Sequence, residues 1–192
     1  LTEDTWQFAN AETRALFSRI RGSFPAVLGD VAEVSVGVQT SADPIYMFKA
    51  VAETPDTATL RWQDRDWPIE RGILKPCLHD VSVYAFERPP PNEWMIFPYE
   101  MIPYKNGLRA RLYQPDQMAR DFPLCKAYLD ARRGELEKRS IEGGPEGERQ
   151  FYQFGRSQSL TKFDAPKIVV QVLTLEARNG FDDKNSIITG GG

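Results

Sequence analysis

The chain has 192 residues, 41% of them hydrophobic, which is enough for one domain of ordinary size with a sizeable core. Its formal net charge of −3 excludes the global positive field that would by itself indicate nucleic-acid binding. However, residues 1–100 carry 9 basic against 15 acidic side chains, whereas residues 101–178 carry 14 against 10. The basic second half is therefore compatible with a surface that faces phosphates.

Cysteine content and hydropathy indicate the compartment. Cys77 and Cys125 lie far apart and are flanked by apolar residues, so we predict buried free thiols in a reducing cytoplasm, with a disulfide as the alternative. No run of about 18 apolar residues and no signal peptide is present, so we expect a cytoplasmic protein that does not span a membrane. Because the chain lacks an initiator Met and ends in three glycines, we expect it to be a fragment of a longer protein.

The first half predicts one helix followed by short strands. Residues 9–21 have the pattern of an amphipathic helix that Gly22 stops, with an apolar face of Ala11, Ala15, Leu16 and Ile20. Gly72 and Pro76 predict an irregular segment over residues 69–78. Strand patterns cover residues 31–38, 45–52, 57–62, 81–86 and 94–99, which favours an antiparallel or mixed β-rich half.

The second half predicts helices and a final strand. A helix start is expected at Gln114, and residues 124–139 form the strongest helical pattern, with a Glu135–Arg139 pair on its surface. Residues 140–148 have the composition of a mobile loop, and residues 167–173 that of a buried strand. The inward face of the helix is predicted to consist of Leu124, Tyr128, Leu129, Leu136 and the stem of Arg132.

These elements predict an α+β fold in a single domain. We divide it into an N-terminal helix and lead-in (residues 1–30), a β-rich part (31–99), a helical part (100–140) and a final part of loop and strand (141–192).

No set of residues typical of catalysis is visible. His79 lies two residues from Cys77, but no second pair would complete a metal site, and a turn residue that bonds the backbone is the simpler interpretation. No glycine-rich phosphate-binding motif is present. Asp164 with Lys167, and Glu135 with Lys138, have the acid–lysine spacing of a nuclease, but surface salt bridges explain these pairs equally well.

Several stretches match one known family in order and spacing over roughly residues 30–192. They are Val36-Gly-Val-Gln-Thr40 with Asp43 and Ile45-Tyr-Met-Phe48, Leu74-Lys-Pro-Cys-Leu78, Trp94-Met-Ile-Phe-Pro98, Tyr128-Leu-Asp-Ala-Arg-Arg-Gly-Glu-Leu-Glu-Lys-Arg139, and Phe151-Tyr-Gln-Phe-Gly-Arg-Ser-Gln158 leading to Pro166-Lys-Ile-Val169. Together they resemble the C-terminal target-recognition (specificity) domain of TaqI-like adenine-specific DNA methyltransferases, found in restriction–modification and phage-defence systems. Two departures are Ser41, where glycine is common, and His79-Asp-Val-Ser82 in place of a basic turn.

The resemblance implies a fold and a role. The fold would be a β-rich lobe of short mixed or antiparallel strands plus an α-helical hairpin around residues 116–139. The chain would recognise double-stranded DNA without catalysis or a cofactor of its own. A separate catalytic methyltransferase domain of the same parent chain would bind S-adenosylmethionine and methylate a flipped adenine.

The candidate DNA contacts lie mainly in the polar, aromatic loop before the strand at residues 167–173. Arg156 suits guanine, and Gln158 or Gln153 suits adenine. We predict that Arg156 and Gln158 point outward, whereas Ile168, Val170 and Val172, or alternatively Val169 and Leu173, point into the core. The alternatives are that Arg156 forms a salt bridge with Asp164 and that Phe151 and Phe154 belong to the core. The remaining candidates are Ser157, then Lys162, Lys167 and Arg149 for phosphates, Tyr152 or Phe154 against an unstacked base, and the turn residues Gln39, Thr40 and Ser41.

Two other functions remain open. The acidic first half also suits a protein-interaction module of a defence complex that docks through residues 89–94. Alternatively, the chain contributes to methyl transfer or DNA cleavage as part of the enzyme.

Overall fold

The computed structural model describes residues 10–141, 150–171, 175, 176 and 178–189. The fold class is α+β, as predicted, with several small and mainly antiparallel sheets and a few short helices. The chain divides into two compact units, Leu1–Ser35 and Val36–Gly192. The helices are α1 (Ala11–Ser23), α2 (Asp43–Tyr46), α3 (Pro115–Asp121), α4 (Pro123–Ala131) and α5 (Arg133–Leu136). The strands are β1 (Met47–Phe48), β2 (Ala52–Glu53), β3 (Thr57–Trp62), β4 (Arg65–Glu70), β5 (Leu74–Leu78), β6 (Glu93–Ile96), β7 (Tyr99–Tyr104), β8 (Gly107–Leu112), β9 (Lys167–Val170), β10 (Asn179–Asp182) and β11 (Ile187–Ile188).

Helix α1 is the regular element of the first unit. Asn10 caps it by accepting a hydrogen bond from the Thr13 amide at 2.8 Å. The helix continues through Gly22 to Ser23, so the predicted glycine stop is wrong. No residue of α1 is buried, so the predicted apolar face of Ala11, Ala15, Leu16 and Ile20 is exposed.

A four-stranded sheet lies at the centre of the second unit. Its order is β1-β6-β5-β11, and only the β11–β5 pairing is parallel. Beside it are a meander of β2, β3 and β4 and two separate two-stranded ribbons, β7–β8 and β9–β10. Because β11 and β5 are more than 100 residues apart in the sequence, this sheet is complete only when distant segments pair.

The main core is rich in aromatic side chains that meet edge to face. Phe154 packs on Tyr46, Tyr99 and Phe97 with ring centroids 4.9, 5.1 and 5.8 Å apart. Phe163 lies 5.2 Å from Phe97. These edge-to-face contacts add to the hydrophobic burial and hold the segment around residue 154 firmly on the core.

Several predicted strands have a different conformation. Residues 45–52 contain the end of α2, the two-residue β1 and the start of β2 rather than one strand. Residues 32–37 have no regular structure, because no strand among the described residues pairs with them, and Val38 forms an isolated bridge to Thr189. Residues 81–84 have no regular structure and residues 85 and 86 form a turn, so the predicted strand is absent there. Left-handed backbones at Asp80 and Phe86, with φ of 49° and 65°, interrupt the extended conformation on both sides.

The segment at residues 69–78 is regular, contrary to prediction. It contains the end of β4, one 3₁₀ turn (Arg71–Ile73) and β5. Strand β5 tolerates Pro76 because β11 pairs only with Cys77 and Leu78, so no strand neighbours the proline on that side. The predicted strand at residues 57–62 is confirmed as β3.

The part predicted to be helical, residues 100–140, is helical only in its second portion, because residues 99–112 form β7 and β8. Helix α3 follows Gln114, as predicted, whereas residues 124–139 form α4 and α5 with a break at Arg132. Tyr128, Leu129, Leu136 and Arg132 are buried as predicted, but Leu124 is exposed. Glu135 pairs with Arg132 at 2.9 Å instead of with Arg139.

The strand at residues 167–170 lies in a ribbon and is not buried on both faces. Val169 is buried in a small cluster with Leu78 and Val83, whereas Ile168 and Val170, on the opposite face of β9, are exposed. The inward position predicted for Val169 is therefore confirmed, whereas Ile168 and Val170 do not point into the core. Leu173 lies outside the described residues, as do residues 142–148 of the loop predicted over residues 140–148.

Candidate nucleic-acid interface

Two polar segments that are distant in the sequence meet in the structure. The Gly155 amide donates to the Thr40 carbonyl at 2.9 Å, and the Arg156 amide donates to the Gln39 carbonyl at 3.3 Å. The side-chain amides of Gln158 and Gln39, 119 positions apart, are 3.4 Å from each other. The 39–41 turn and the 155–158 loop, predicted separately, therefore form one continuous surface.

The 39–41 turn is held by its own short contacts. The Thr40 hydroxyl donates to the Asp43 carboxylate and accepts from the Ala42 amide at 2.9 Å. Ser41 has a left-handed backbone with φ of 59°, and its side chain leaves no space at Gly155. A Cβ at Gly155 would lie 1.8 Å from Ser41 Oγ. Only glycine at position 155 permits this approach.

Arg139 connects the helical part to both segments. Its Nη1 donates to the Thr40 carbonyl at 2.7 Å, and its Nη2 donates to the carbonyls of Phe151 and Gln153 at 2.8 and 2.9 Å. The guanidinium fork thus binds backbone oxygens on both sides of the meeting point. The guanidinium of Arg139 therefore connects the two segments, and its donors bind protein carbonyls.

The residues just before the 155–158 loop belong to the core. Tyr152 is buried and its hydroxyl donates to the Tyr113 carbonyl at 2.7 Å. Gln153 and Thr40 are buried as well. Burial makes the side chains of these three predicted contacts unavailable to a duplex in this conformation, and Phe154 takes its core alternative.

The remaining candidates differ in exposure. Arg156, Ser157, Gln158, Ser41 and Lys162 are exposed and Gln39 is half-buried, so the predicted outward position of Arg156 and Gln158 is confirmed. Arg156 is not buried against Asp164. We use the name recognition surface for Gln39, Ser41, Arg156, Ser157 and Gln158.

Lys167 is engaged inside the fold. Its ammonium lies 2.5 Å from the buried Asp182 carboxylate and 3.0 Å from the Phe163 carbonyl. Burial alone would raise the pKa of Asp182, but hydrogen bonds from Lys167, the Lys184 amide and Ser186 outweigh it and hold that pKa below its usual value. Lys167 therefore has a structural partner, and Arg149 lies outside the described residues.

The two cysteines and the histidine singled out in the sequence are engaged in packing or hydrogen bonding. Cys77 and Cys125 are buried free thiols, as predicted, and burial raises the pKa of both. His79 Nδ1 lies 3.1 Å from the Glu93 carboxylate. In the part of the chain that the structure describes, no three His, Cys, Asp or Glu side chains form a group able to hold a metal ion. Among the same residues, no helix has the length and apolar character needed to cross a bilayer.

Sequence reasoning missed the organising role of Arg139. The pattern shows a basic residue after a helix, which is common where a cation favours the helix dipole. Besides the local Leu136 carbonyl, Arg139 binds the carbonyls of Thr40, Phe151 and Gln153. These three partners come from two distant segments, so no local sequence pattern indicates them. Gly155 did carry a signal, as a glycine inside an otherwise aromatic and polar segment.

Comparison with known proteins relates the chain to restriction–modification proteins. It is similar to the type II restriction enzyme and methyltransferase RM.Eco57I of Escherichia coli, with 26% identity over 206 residues that cover 100% of this chain. The chain spans about a fifth of the length of that relative (20%). No protein-family model matches the chain.

Proposed function

We propose that this chain is the DNA sequence-recognition part of a restriction–modification protein, similar to the target-recognition domain of TaqI-like adenine methyltransferases. The observation that carries the proposal is the convergence of the 39–41 turn and the 155–158 loop into one exposed polar surface. Its groups match base edges: a guanidinium for guanine and carboxamides for adenine. The similarity to a restriction enzyme and methyltransferase supports this context.

The geometry suits a role in positioning and reading rather than in chemistry. The recognition surface rests on rigid supports, namely the Arg139 fork and the aromatic core around Phe154. Rigid support matters because base readout needs donors and acceptors within a few tenths of an ångström. In this proposal a separate catalytic domain of the same protein binds S-adenosylmethionine and methylates the flipped adenine.

Arg156 and Gln158 test the proposal. In the intact protein, Arg156→Ala and Gln158→Ala are expected to weaken binding to the cognate site by roughly tenfold each, since one bidentate base contact contributes about 1–3 kcal/mol. Binding to unrelated duplexes would change little. The measurement is fluorescence anisotropy on cognate and unrelated DNA, with sequencing of modified adenines in cells that carry each variant.

Arg120→Ala is the matched control, because Arg120 is exposed and pairs with its neighbour Asp121 at 2.8 Å, outside the recognition surface. Unchanged site choice in both test variants would refute the assignment of this surface. Binding of S-adenosylmethionine by the chain alone would instead support a direct part in the enzyme.

A second candidate is a docking site for another protein. An open groove of about 400 Å³ is lined by three consecutive prolines together with Pro76, Arg88, Asp183 and Lys184. It coincides with the start of the segment at residues 89–94 that the sequence suggests for docking. Loss of assembly with a partner subunit on Pro90→Ala, with DNA binding unchanged, would favour this second function.

A further inference from the structure

The ribbon formed by β7 and β8 projects away from the core. Its strands pair antiparallel from Tyr99 opposite Leu112 to Tyr104 opposite Gly107. Met101, Ala110 and Leu112 pack against the main core at its base, whereas every residue from 103 to 109 is exposed. An isolated two-stranded ribbon is marginally stable in water, so the anchored base supports an exposed tip.

The distal half of this ribbon is basic and aromatic. Residues 101–112 contain no acidic residue, and Glu100 at the base pairs with Arg111 at 2.7 Å. At the tip, the Lys105 ammonium and the Arg109 guanidinium lie 5.3 and 5.7 Å from the centroid of the Tyr104 ring. The tyrosine remains 48% exposed. Two cations therefore flank a half-exposed aromatic ring.

The base of the ribbon is tied to the segment that carries the recognition surface. The Phe154 amide donates to the Tyr99 hydroxyl at 2.7 Å, and the Tyr152 hydroxyl donates to the Tyr113 carbonyl at 2.7 Å. The first residue of β7 and the residue that follows β8 thus bond to Phe154 and Tyr152, just before Gly155. These bonds fix the position of the ribbon relative to the 155–158 loop. Two elements that bind the same ligand need such a fixed relative position.

We propose that the tip of the β7–β8 ribbon is a second DNA contact, in which Lys105 and Arg109 bind backbone phosphates and Tyr104 packs on a sugar or base edge. The proposal rests on the proposed function and adds an element that the sequence patterns did not assign to DNA. A two-stranded ribbon fits the major groove in width. Phosphate contacts of this kind set the position of a protein on the duplex and leave the choice of sequence to other residues.

The test compares the salt dependence of DNA binding in charge-matched variants of the intact protein. Lys105→Asn/Arg109→Gln removes both cations, and asparagine suits the left-handed backbone of residue 105, whose φ is 50°. We expect the association constant at 0.1 M salt to fall roughly 10- to 60-fold, on all duplex sequences alike. The slope of its logarithm against log salt should fall by about 2.

The control Arg61→Gln/Arg120→Gln removes the same charge from two exposed arginines, each paired with an aspartate outside the ribbon. It should leave the slope unchanged. Tyr104→Ala should lower affinity about five- to tenfold without changing the slope, whereas Tyr104→Phe should bind as the wild type does. Thermal unfolding of each variant checks that the fold is intact.

Each outcome separates the two proposals. If the double variant binds with wild-type affinity and slope while Arg156→Ala still alters site choice, the ribbon proposal is wrong and the proposed function stands. Unchanged DNA binding with loss of a partner subunit would assign the tip to protein contacts and also overturn it. If the wild-type protein shows no salt-dependent binding to duplex DNA, both proposals fail.

Discussion

At the residue scale, Gly155 decides whether the two polar segments can meet. Its Cβ position lies 1.8 Å from Ser41 Oγ and 2.5 Å from Ser41 Cβ. Gly155→Ala should therefore lower the free energy of unfolding by about 1–3 kcal/mol, as overpacking does. Adding Ser41→Gly should recover most of that loss, because it removes both clashing atoms and suits the left-handed backbone. Urea unfolding of the two single variants and the double variant measures this coupling.

A matched glycine provides the control. Gly134 has no heavy atom within 4 Å of its Cβ position, so Gly134→Ala should leave stability unchanged or slightly raised. Equal stability of Gly155→Ala and the wild type would contradict the close approach of the two segments.

Asp182 predicts a dependence of stability on pH. Its pKa is lower in the folded state than in the unfolded chain, so its contribution is present above about pH 4 and is lost as pH falls through the folded pKa. Asp182→Asn should cost about 2–3 kcal/mol at pH 7, because it leaves Lys167 without its buried partner. The difference from the wild type should shrink below about pH 4.

Urea unfolding between pH 3 and pH 7 measures this difference. Asp64→Asn, at an exposed position between β3 and β4, serves as the control. A difference for Asp182→Asn that stays constant over the whole range would show that the lowered pKa does not stabilise the fold.

At the element scale, helix α4 is capped by a distant carboxylate. Its local N-cap residue, Phe122, has no capping side chain. Glu70, at the end of β4, accepts from the Leu124 and Cys125 amides at 2.7 and 2.9 Å. The carboxylate satisfies two amides that would otherwise have no partner and also favours the positive end of the helix.

Removal of this cap should therefore destabilise the protein. We expect Glu70→Ala to lower the free energy of unfolding by about 1–2 kcal/mol, and Glu70→Gln by less, because its amide oxygen still accepts one hydrogen bond. Thermal and urea unfolding measure both variants against Glu137→Gln, an exposed glutamate 3.5 Å from Arg133. An effect of Glu70→Ala no larger than that of the control would rule out the cap as a stabilising contact.

At the scale of the whole molecule, the last strand supports the 39–41 turn. The Val38 amide donates to the Ile188 carbonyl at 2.7 Å, and β11 pairs with β5 in the centre of the main sheet. Ile187 is fully buried. Strand β11 is thus coupled to the recognition surface through the hydrogen bond between Val38 and Ile188.

Ile187→Val tests this coupling. The lost methyl group should cost about 0.5–1.5 kcal/mol and accelerate hydrogen exchange at the Gly155 and Arg156 amides, which bond to the 39–41 turn. Ile69→Val, at a fully buried position in β4, removes the same group elsewhere. If both variants accelerate exchange equally at these amides, the effect is global unfolding and the local coupling is refuted.

Features that depend on local chemistry could be predicted from the residues alone. The strand at residues 57–62, the helix start at Gln114, the buried free thiols and the exposure of Arg156 and Gln158 all follow from propensity, polarity and periodicity. The β7–β8 ribbon also has a local signal, Asn106 followed by Gly107, although we assigned residues 100–140 to a helical part.

Which polar residues share one surface depends on the folded chain and could not be predicted from local patterns. The 39–41 turn meets the 155–158 loop because Arg139 bonds carbonyls of both segments and Gly155 has no side chain to keep Ser41 away. The fold also buries the side chains of Thr40, Tyr152 and Gln153 and pairs Lys167 with Asp182. These outcomes depend on contacts between residues far apart in the chain, and local patterns carry no record of such partners.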